Sequence, residues 1–299
     1  MALFNINAFG LLAAVATVLI WTSFMLITRF AVQSTFTVEE ILILRLLPAF
    51  LVMSPLMLKL GVLPRGQSWP KALILMLGAS AISPFLISSG LGYAPASDGG
   101  ALAPGMLPFW TAIAAYFITG EQPGIPRRIG LAMILIGAIM VGLLQVLDGA
   151  GTGVWKGHLF FLAGSGVWAV HSVFFKQSGI SPMHGLIIGI FWGTLIITPL
   201  LFLSGKVSFR SAETDDLIMM IVLQSFIMSI LAMLLFTYAV QLLGAAQTAA
   251  FGALIPVLAL LGGVVFLGEV VTPFKLGGVV LVMLGVFLAS GIIGRSRVG

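Results

Sequence analysis

Apolar residues run along this chain in blocks of about 20, separated by short polar links. Hydrophobic positions within a block are continuous, whereas a strand of a membrane barrel would be about half as long and would alternate. A length of about 20 is that of a helix crossing a bilayer. The pattern predicts an all-α integral membrane protein with ten transmembrane helices, near 8–28, 38–59, 70–91, 97–119, 127–147, 157–178, 182–204, 215–240, 245–268 and 273–294.

The amino-acid composition also indicates that most of the protein surface faces lipid. The chain is 60% hydrophobic and 8% charged, whereas a soluble domain carries about 25% charged residues. It has no cysteine, which excludes disulfides and thiolate metal sites. The net charge of +5 comes from basic residues scattered at the ends of apolar blocks. We therefore expect the lipid bilayer as a partner, with no nucleic acid, no metal and no cofactor.

The distribution of basic residues predicts an orientation. With a cytoplasmic N-terminus, eight Lys and Arg residues fall on the cytoplasmic side and six on the other, and cytoplasmic loops are normally the richer ones. The bias is modest and lies mostly in the first half of the chain. An even number of spans then places both the N- and C-termini in the cytoplasm.

An internal repeat is the main organisational feature. Eight features recur in order at shifts of 145 to 148 residues, and the alternative is coincidence in a glycine-rich chain. Five helices per copy is an odd number, so the second copy must be inserted upside down. We expect one membrane domain made of repeats 1–150 and 151–299, a 5+5 inverted-topology repeat around a central cavity. The matches are Trp21 with Trp168, Arg29 with Lys176, Tyr93-Ala94 with Tyr238-Ala239, Gly99 with Gly244, Pro108 with Pro256, Gly120-Glu121 with Gly268-Glu269, Gly130 with Gly278 and Gly137 with Gly285.

Aromatic side chains and one histidine are candidates for the cavity wall. Several tryptophans lie too deep in their helices for the aromatic belt at the membrane interface. They either pack as bulky core, or face lipid, or supply a stacking surface. His171 follows Trp168 by three residues and shares its helix face. The predicted substrate-binding residues are Trp21, Tyr93, Trp110, Trp168, His171, Trp192 and Tyr238.

Four prolines fall inside predicted spans, where each removes a backbone donor and loosens the helix. They are either packing kinks or hinges that line the cavity. The predicted hinge or gating residues are Pro84, Pro104, Pro108 and Pro256.

Charged residues inside the spans are few. Arg45 lies about two turns into the second helix, where it either pairs with Glu39 or Glu40 near the surface or takes part in gating or binding. No predicted span has a central carboxylate, and Asp98 at the start of the fourth comes closest. We therefore expect no obligatory coupling to a cation, or at most weak proton linkage through His171.

The two remaining histidines and the absence of catalytic motifs bear on whether the protein is an enzyme. His158 and His184 lie near helix ends and are predicted to be interfacial. The sequence contains no Walker loop, metal-ligand cluster or nucleophile elbow. An enzyme is therefore not expected.

These features resemble the drug/metabolite transporter superfamily in its EamA-type branch. The resemblance rests on the prolines followed by Gly-Glu, on the glycine-rich fifth and tenth helices and on Ile43-Leu44-Arg45-Leu46. Within that branch the sequence is similar to the YddG-type exporters of aromatic amino acids. The resemblance implies a central cavity, a bacterial inner-membrane location and efflux.

The function expected from residues and resemblance is export of neutral amino acids, preferably aromatic and large apolar ones, by a secondary transporter using alternating access. We expect a monomer, although the sequence does not fix the oligomeric state. Two alternatives stay open. One is export of another metabolite or of a drug within the same superfamily, and the other is a membrane component that transports nothing.

Overall fold

Helices make up nearly all of the regular structure in the computed structural model of this protein. The structure describes residues 8–63, 66, 68–148 and 153–291, and no β-strand occurs among them. The helices before residue 150 are α1 (Ala8–Ser34), α2 (Val38–Leu60), α3 (Trp69–Met76), α4 (Ile82–Tyr93), α5 (Ala96–Leu102), α6 (Leu107–Thr119) and α7 (Ile125–Asp148). The later helices are α8 (Val154–Ser178), α9 (Pro182–Leu203), α10 (Thr214–Ile221), α11 (Ala232–Leu243), α12 (Ala245–Gly252), α13 (Ile255–Leu267) and α14 (Pro273–Ala289).

Eight stretches of the described residues are long and apolar enough to cross a membrane, and α14 is a shorter apolar helix. These stretches confirm a multi-pass helical membrane protein, and each overlaps a segment predicted from the hydrophobic pattern. The count of ten spans and the side on which the termini lie stay predictions. The eight are Ala8–Ser34, Val38–Leu60, Ala96–Thr119, Ile125–Gly142, Val154–Ser178, Pro182–Leu203, Thr214–Leu243 and Gln247–Leu267. The predicted boundary between the repeats, at residue 150, lies outside the described residues.

Two π-helical segments interrupt long helices at equivalent places. Leu77–Ala81 separates α3 from α4, and Val222–Leu231 separates α10 from α11. Their starts are related by the shift of 145 that also relates Tyr93 to Tyr238. Such segments occur frequently at functional sites, and nothing in the hydrophobic pattern indicates them.

Two further predicted spans are each broken by a turn into a pair of helices, and predicted hinge prolines lie at the breaks. Pro104 lies in the turn between α5 and α6, and Pro108 is in the first turn of α6. Pro256 occupies the same place in α13. A proline in a first helical turn costs no hydrogen bond, because the amide there has no partner within the helix. Pro84 follows the first π-helical segment and is buried in α4. Their role as hinges stays a prediction.

Glycines bring α7 and α14 together along their length. A Cβ on Gly130 would lie 2.7 Å from the carbonyl oxygen of Gly285, and one on Gly137 would lie 2.6 Å from that of Gly278. Gly130 matches Gly278 in the repeat, and Gly137 matches Gly285. Each glycine therefore touches the mate of the other, which is the contact pattern produced by a two-fold axis.

Contacts of α1 define two ends of the helical bundle. Gly10 packs against Leu242 and Leu243 at the end of α11. Nineteen residues later, Arg29 donates a hydrogen bond of 2.5 Å to the carbonyl of Leu91 at the end of α4. That stretch of helix is about 28 Å long. We call the two ends of the bundle the Gly10 end and the Arg29 end.

Candidate functional site

A buried ionic cluster ties three helices together at the Arg29 end. Asp98, at the start of α5, is 0% exposed. Its carboxylate lies 2.9 Å from Nε2 of His158 in α8 and 2.7 Å from Nζ of Lys275 in α14. Lys275 is also buried. Removing such charges from water is costly, and the cluster is stable only because opposite charges meet there.

A second carboxylate closes the same end. Glu269, in the turn between α13 and α14, accepts hydrogen bonds from the backbone amides of Ala96 at 2.5 Å and Ser97 at 3.0 Å, and from the Ser97 hydroxyl. It therefore caps α5, where the amides lack helical partners and carry partial positive charge. Arg29 is near enough to attract both Glu269 and Asp98. These contacts join α1, α5 and α13 into one closed layer.

The cluster corrects one expectation from the sequence. His158 was predicted to be interfacial, but it is 5% exposed and bonded to Asp98. Asp98 was expected only near a helix start, and its complete burial depends on partners 60 and 177 residues away in the chain. Only folding brings these residues together, so the sequence pattern carried no sign of the cluster.

Equivalent residues at the Gly10 end behave differently. Glu121 matches Glu269 in the repeat, but its carboxylate binds Arg127 at 2.9 Å, and both side chains reach solvent. The helix that α5 matches is α12, which follows Gly244 and has no side-chain cap. The Gly10 end thus lacks the counterpart of the Glu269 cap among the described contacts.

Helix packing also differs between the two ends of the bundle. At the Arg29 end α13 packs along α5, and α1 packs against α4 and α5. The corresponding pairs at the Gly10 end are α6 with α12, and α8 with α11 and α12. None of these pairs is comparably packed in the described parts of the chain. The bundle is closed at the Arg29 end and parted at the Gly10 end.

A cavity of about 510 Å³ lies at the parted end, between the start of α9 and the end of α11. Tyr238 is in its wall, half exposed, and the lining is mostly apolar. The lining residues are Ser181, Pro182, Met183, Leu186, Met233, Leu234, Leu235, Thr237, Tyr238 and Gln241.

A second cavity, of about 660 Å³, brings together two predicted substrate-binding residues. Trp110 and His171 line it, among apolar side chains of the first π-helical region and α8. Trp168 touches the His171 ring, with ring centroids 5.6 Å apart. The Trp110 indole nitrogen and Nδ1 of His171 are buried without a hydrogen-bond partner in the described contacts. The cavity therefore combines aromatic faces with two polar atoms.

The other predicted substrate-binding residues lie elsewhere. Trp21 packs against Phe236, with ring centroids 5.3 Å apart and the ring planes tilted by 36°. The indole nitrogen of Trp192 donates to the carbonyl of Val62 at 3.3 Å.

The two repeat-related tyrosines are far apart. Tyr93 stacks on Phe160 at the Arg29 end, with centroids 5.9 Å apart, whereas Tyr238 lies at the Gly10 end. These two tyrosines do not share one central space, contrary to the expectation of a common cavity wall. Substrate binding by each of the seven predicted residues stays a prediction.

Arg45 does not form the ion pair weighed from the sequence. Glu39 binds Lys206 at 3.0 Å, and Glu40 accepts from Thr37 as part of the capping box of α2. The Arg45 guanidinium instead lies over the Phe24 ring, 5.3 Å from its centroid. No acidic side chain pairs with Arg45 among the described residues. A positive charge within a span is thus available to another anion.

Comparisons with known proteins give the family and the fold. The model of the EamA-like transporter family matches residues 8–143 and, separately, residues 155–291. Among curated proteins, no sequence matches the chain. Fifteen chains of known structure match. One of them, described as "Crystal structure of protein", has a TM-score of 0.63 at 20% identity, over 96% of this chain and 98% of that chain.

At 20% identity the structural match shows a shared fold and says nothing about a substrate. The family matches carry more, because they cover both halves of a multi-pass helical chain and agree with the resemblance read from its motifs. Two consecutive copies of one family model establish that this chain belongs to the EamA-like transporter family.

Proposed function

We propose that this protein is a secondary transporter that exports neutral amino acids, preferably aromatic and large apolar ones, by alternating access. The observation that carries the proposal is the difference between the two ends of one bundle. The Arg29 end is held shut by Glu269 and the Asp98 cluster, while the matching helices at the Gly10 end are parted. Exchange of these two arrangements between the repeats would expose a site first to one side and then to the other.

The membrane arrangement proposed is ten spans in a 5+5 inverted repeat. The eight spans found by length and hydropathy become ten when α14 and the unit of α3, its π-helical segment and α4 are added. The reciprocal glycine contacts between α7 and α14 support two-fold related halves. With both termini in the cytoplasm of a bacterial inner membrane, the Gly10 end faces inward, as an exporter awaiting substrate requires.

The proposed substrate has an apolar side chain and a carboxylate. Trp110 and His171 line an apolar cavity, and Trp168 contacts the His171 ring. Stacking on such aromatic faces contributes about 0.5–1.5 kcal/mol beyond burial. Arg45 offers the unpaired positive charge that a carboxylate needs. A slot of this kind separates substrates weakly, since one methylene is worth about 1–3 kcal/mol, so we expect a broad profile.

Coupling to a cation is not part of the proposal. Asp98 is a buried carboxylate, but Lys275 and His158 already surround it. A carboxylate that is held by a buried lysine is not free to bind Na⁺. We therefore expect facilitative export, or weak proton linkage through His171.

Uptake by proteoliposomes tests the substrate class. Labelled Phe, Trp, Met and Thr are compared with Asp and Lys, with empty liposomes as the control. We expect saturable uptake of the neutral amino acids, fastest for the aromatic ones. Preference for Asp or Lys over all four would refute the proposal and favour another metabolite or a cationic drug. No uptake of any amino acid would favour the non-transporting alternative, or an exporter of unrelated compounds.

A further inference from the structure

We call Glu269 and Lys275, which hold the Arg29 end closed, the first latch. We infer that the equivalent residues Glu121 and Arg127 form a second latch, which holds the Gly10 end when that end closes. When the Gly10 end closes, the Glu121 carboxylate leaves Arg127 and caps the start of α12. This inference rests on the proposed alternating-access function, and it names the residues that change partners.

The two latches occupy equivalent positions. Glu121 and Glu269 differ by 148 residues, and so do Arg127 and Lys275. Each glutamate follows a glycine in the left-handed conformation that ends a helix, Gly120 with φ 72° and Gly268 with φ 65°. Both turns therefore present the glutamate in the same way.

Contacts differ although the positions match. At the closed end Glu269 and Lys275 reach different parts of α5, its first amides and Asp98. At the parted end Glu121 and Arg127 bind each other in partly exposed positions. An exposed ion pair of this kind is weak, so separating the two side chains costs little.

The start of α12 is the place that receives Glu121. It stands 149 residues after the start of α5, follows Gly244, and has no side-chain cap. Its first amides lack helical partners, and they attract a carboxylate as those of α5 attract Glu269. Closing the Gly10 end would bring α12 against α6, as α5 lies against α13.

The second latch is chemically weaker than the first. The starts of α5 and α12 differ by 149 residues, so the half of the chain that carries α12 is aligned here by helix starts and not by the match of Gly99 with Gly244. In that alignment Gln247 stands where the first repeat has Asp98, and Ala246 stands where it has Ser97. Arg127 therefore meets a neutral amide, and Glu121 loses a hydroxyl donor. We expect the state closed at the Arg29 end to predominate without substrate, and this is the state of the structure.

A distance measurement in the full-length protein tests the exchange. The chain has no cysteine, so Gln177→Cys on α8 and Gln241→Cys on α11 can carry two spin labels across the Gly10 end. Both side chains are exposed. Double electron–electron resonance in liposomes then measures the distance between the two labels. We expect a long distance when the Gly10 end is parted and a short distance when it is closed.

Three labelled variants are compared with the labelled parent. Glu269→Gln weakens the first latch and should raise the ratio of short to long separations about tenfold, the scale of a hydrogen bond to a charged group. Adding Glu121→Gln should reverse that gain by a similar factor. Adding Glu213→Gln, an exposed glutamate that caps no amide with its side chain, should leave the gain intact.

Two results would overturn the inference. One is a short population that persists when Glu121→Gln is added to Glu269→Gln, and the other is no short population in Glu269→Gln at all. Should Glu269→Gln not fold, Ser97→Ala replaces it, since it removes one donor to the same carboxylate.

Uptake of labelled Phe by the same liposomes separates this inference from the proposed function. Distances that follow the expected pattern without any uptake support the latch and contradict the substrate. Uptake with distances insensitive to Glu121 contradicts the latch and supports the substrate.

Discussion

The Arg29 end and the Gly10 end contain equivalent turns, between α13 and α14 and between α6 and α7, and each turn region carries a glutamate and a base at matching positions. At the Arg29 end the base is buried against Asp98 and the glutamate caps α5. At the Gly10 end the two side chains bind each other near solvent. Burial changes the energy of such contacts far more than residue type does. The repeat therefore determines which charged groups are present at each end, and helix packing determines how much their contacts stabilise the protein.

Replacing the two equivalent bases should give the largest difference. Lys275→Met leaves the buried carboxylate of Asp98 without its lysine, and we expect a loss of about 3–5 kcal/mol in unfolding free energy. Arg127→Met breaks an exposed pair and should cost less than about 1 kcal/mol. Thermal unfolding in detergent measures both. Equal losses would mean that the two ends do not differ as described.

Replacing the two equivalent glutamates should give a smaller difference. Glu269→Gln weakens three hydrogen bonds to a charged acceptor, so we expect a loss of about 1.5–3 kcal/mol. Glu121→Gln should change stability by less than about 1 kcal/mol, because its partner is exposed. The same unfolding measurement applies, and a larger loss for Glu121→Gln would contradict the comparison.

Replacing Arg45 tests the proposal that a substrate entering at the Gly10 end binds its carboxylate nearer the closed end. Arg45→Gln should raise the KM for Phe about tenfold, or about 1.4 kcal/mol, because the carboxylate loses its cation. Arg45→Lys keeps the charge and should retain most of the affinity. Phenylalanine amide, which has no carboxylate, is the matched substrate. An equal effect of Arg45→Gln on the KM of both substrates would contradict the proposal that Arg45 binds the substrate carboxylate.

Trp168 should give the smallest effect. Trp168→Leu keeps bulk but removes the aromatic face beside His171, a loss of about 0.5–1.5 kcal/mol. That corresponds to a fall in kcat/KM for Phe of about two- to tenfold, with little change for Met. Trp155→Leu, at the exposed start of α8, serves as the control. Equal losses for Phe and Met would argue against stacking.

Much of the fold could be predicted because the bilayer is a severe constraint. Continuous apolar blocks located α1, α2 and α9 to within a few residues at most ends. The prolines of the repeat marked the broken helices, since a missing amide hydrogen is a local property. The π-helical segments were not predictable, because they keep the same hydrophobic composition and differ only in which carbonyl each amide meets.

The candidate site was predictable only in part. Trp168 and His171 share a helix face and their rings are in contact, and the structure places Trp110 beside the cavity that His171 lines. Tyr93 and Tyr238 were paired by the repeat but lie at opposite ends, because an inverted repeat sends equivalent positions to opposite sides of the bundle. Depth along a helix was visible in the sequence, and the neighbours across helices were not.

By itself, the sequence determined a helical membrane protein, its repeat, its family and the turns that carry Glu121 and Glu269, because spacing and composition are local along the chain. Only the tertiary structure decided that Asp98, His158 and Lys275 meet in one cluster, and that one end is closed while the other is parted. The physical reason is that pairing and burial of charge depend on distances between helices far apart in sequence. The repeat supplies a glutamate and a base at each end, and packing decides that the Arg29 end is the closed one in this structure.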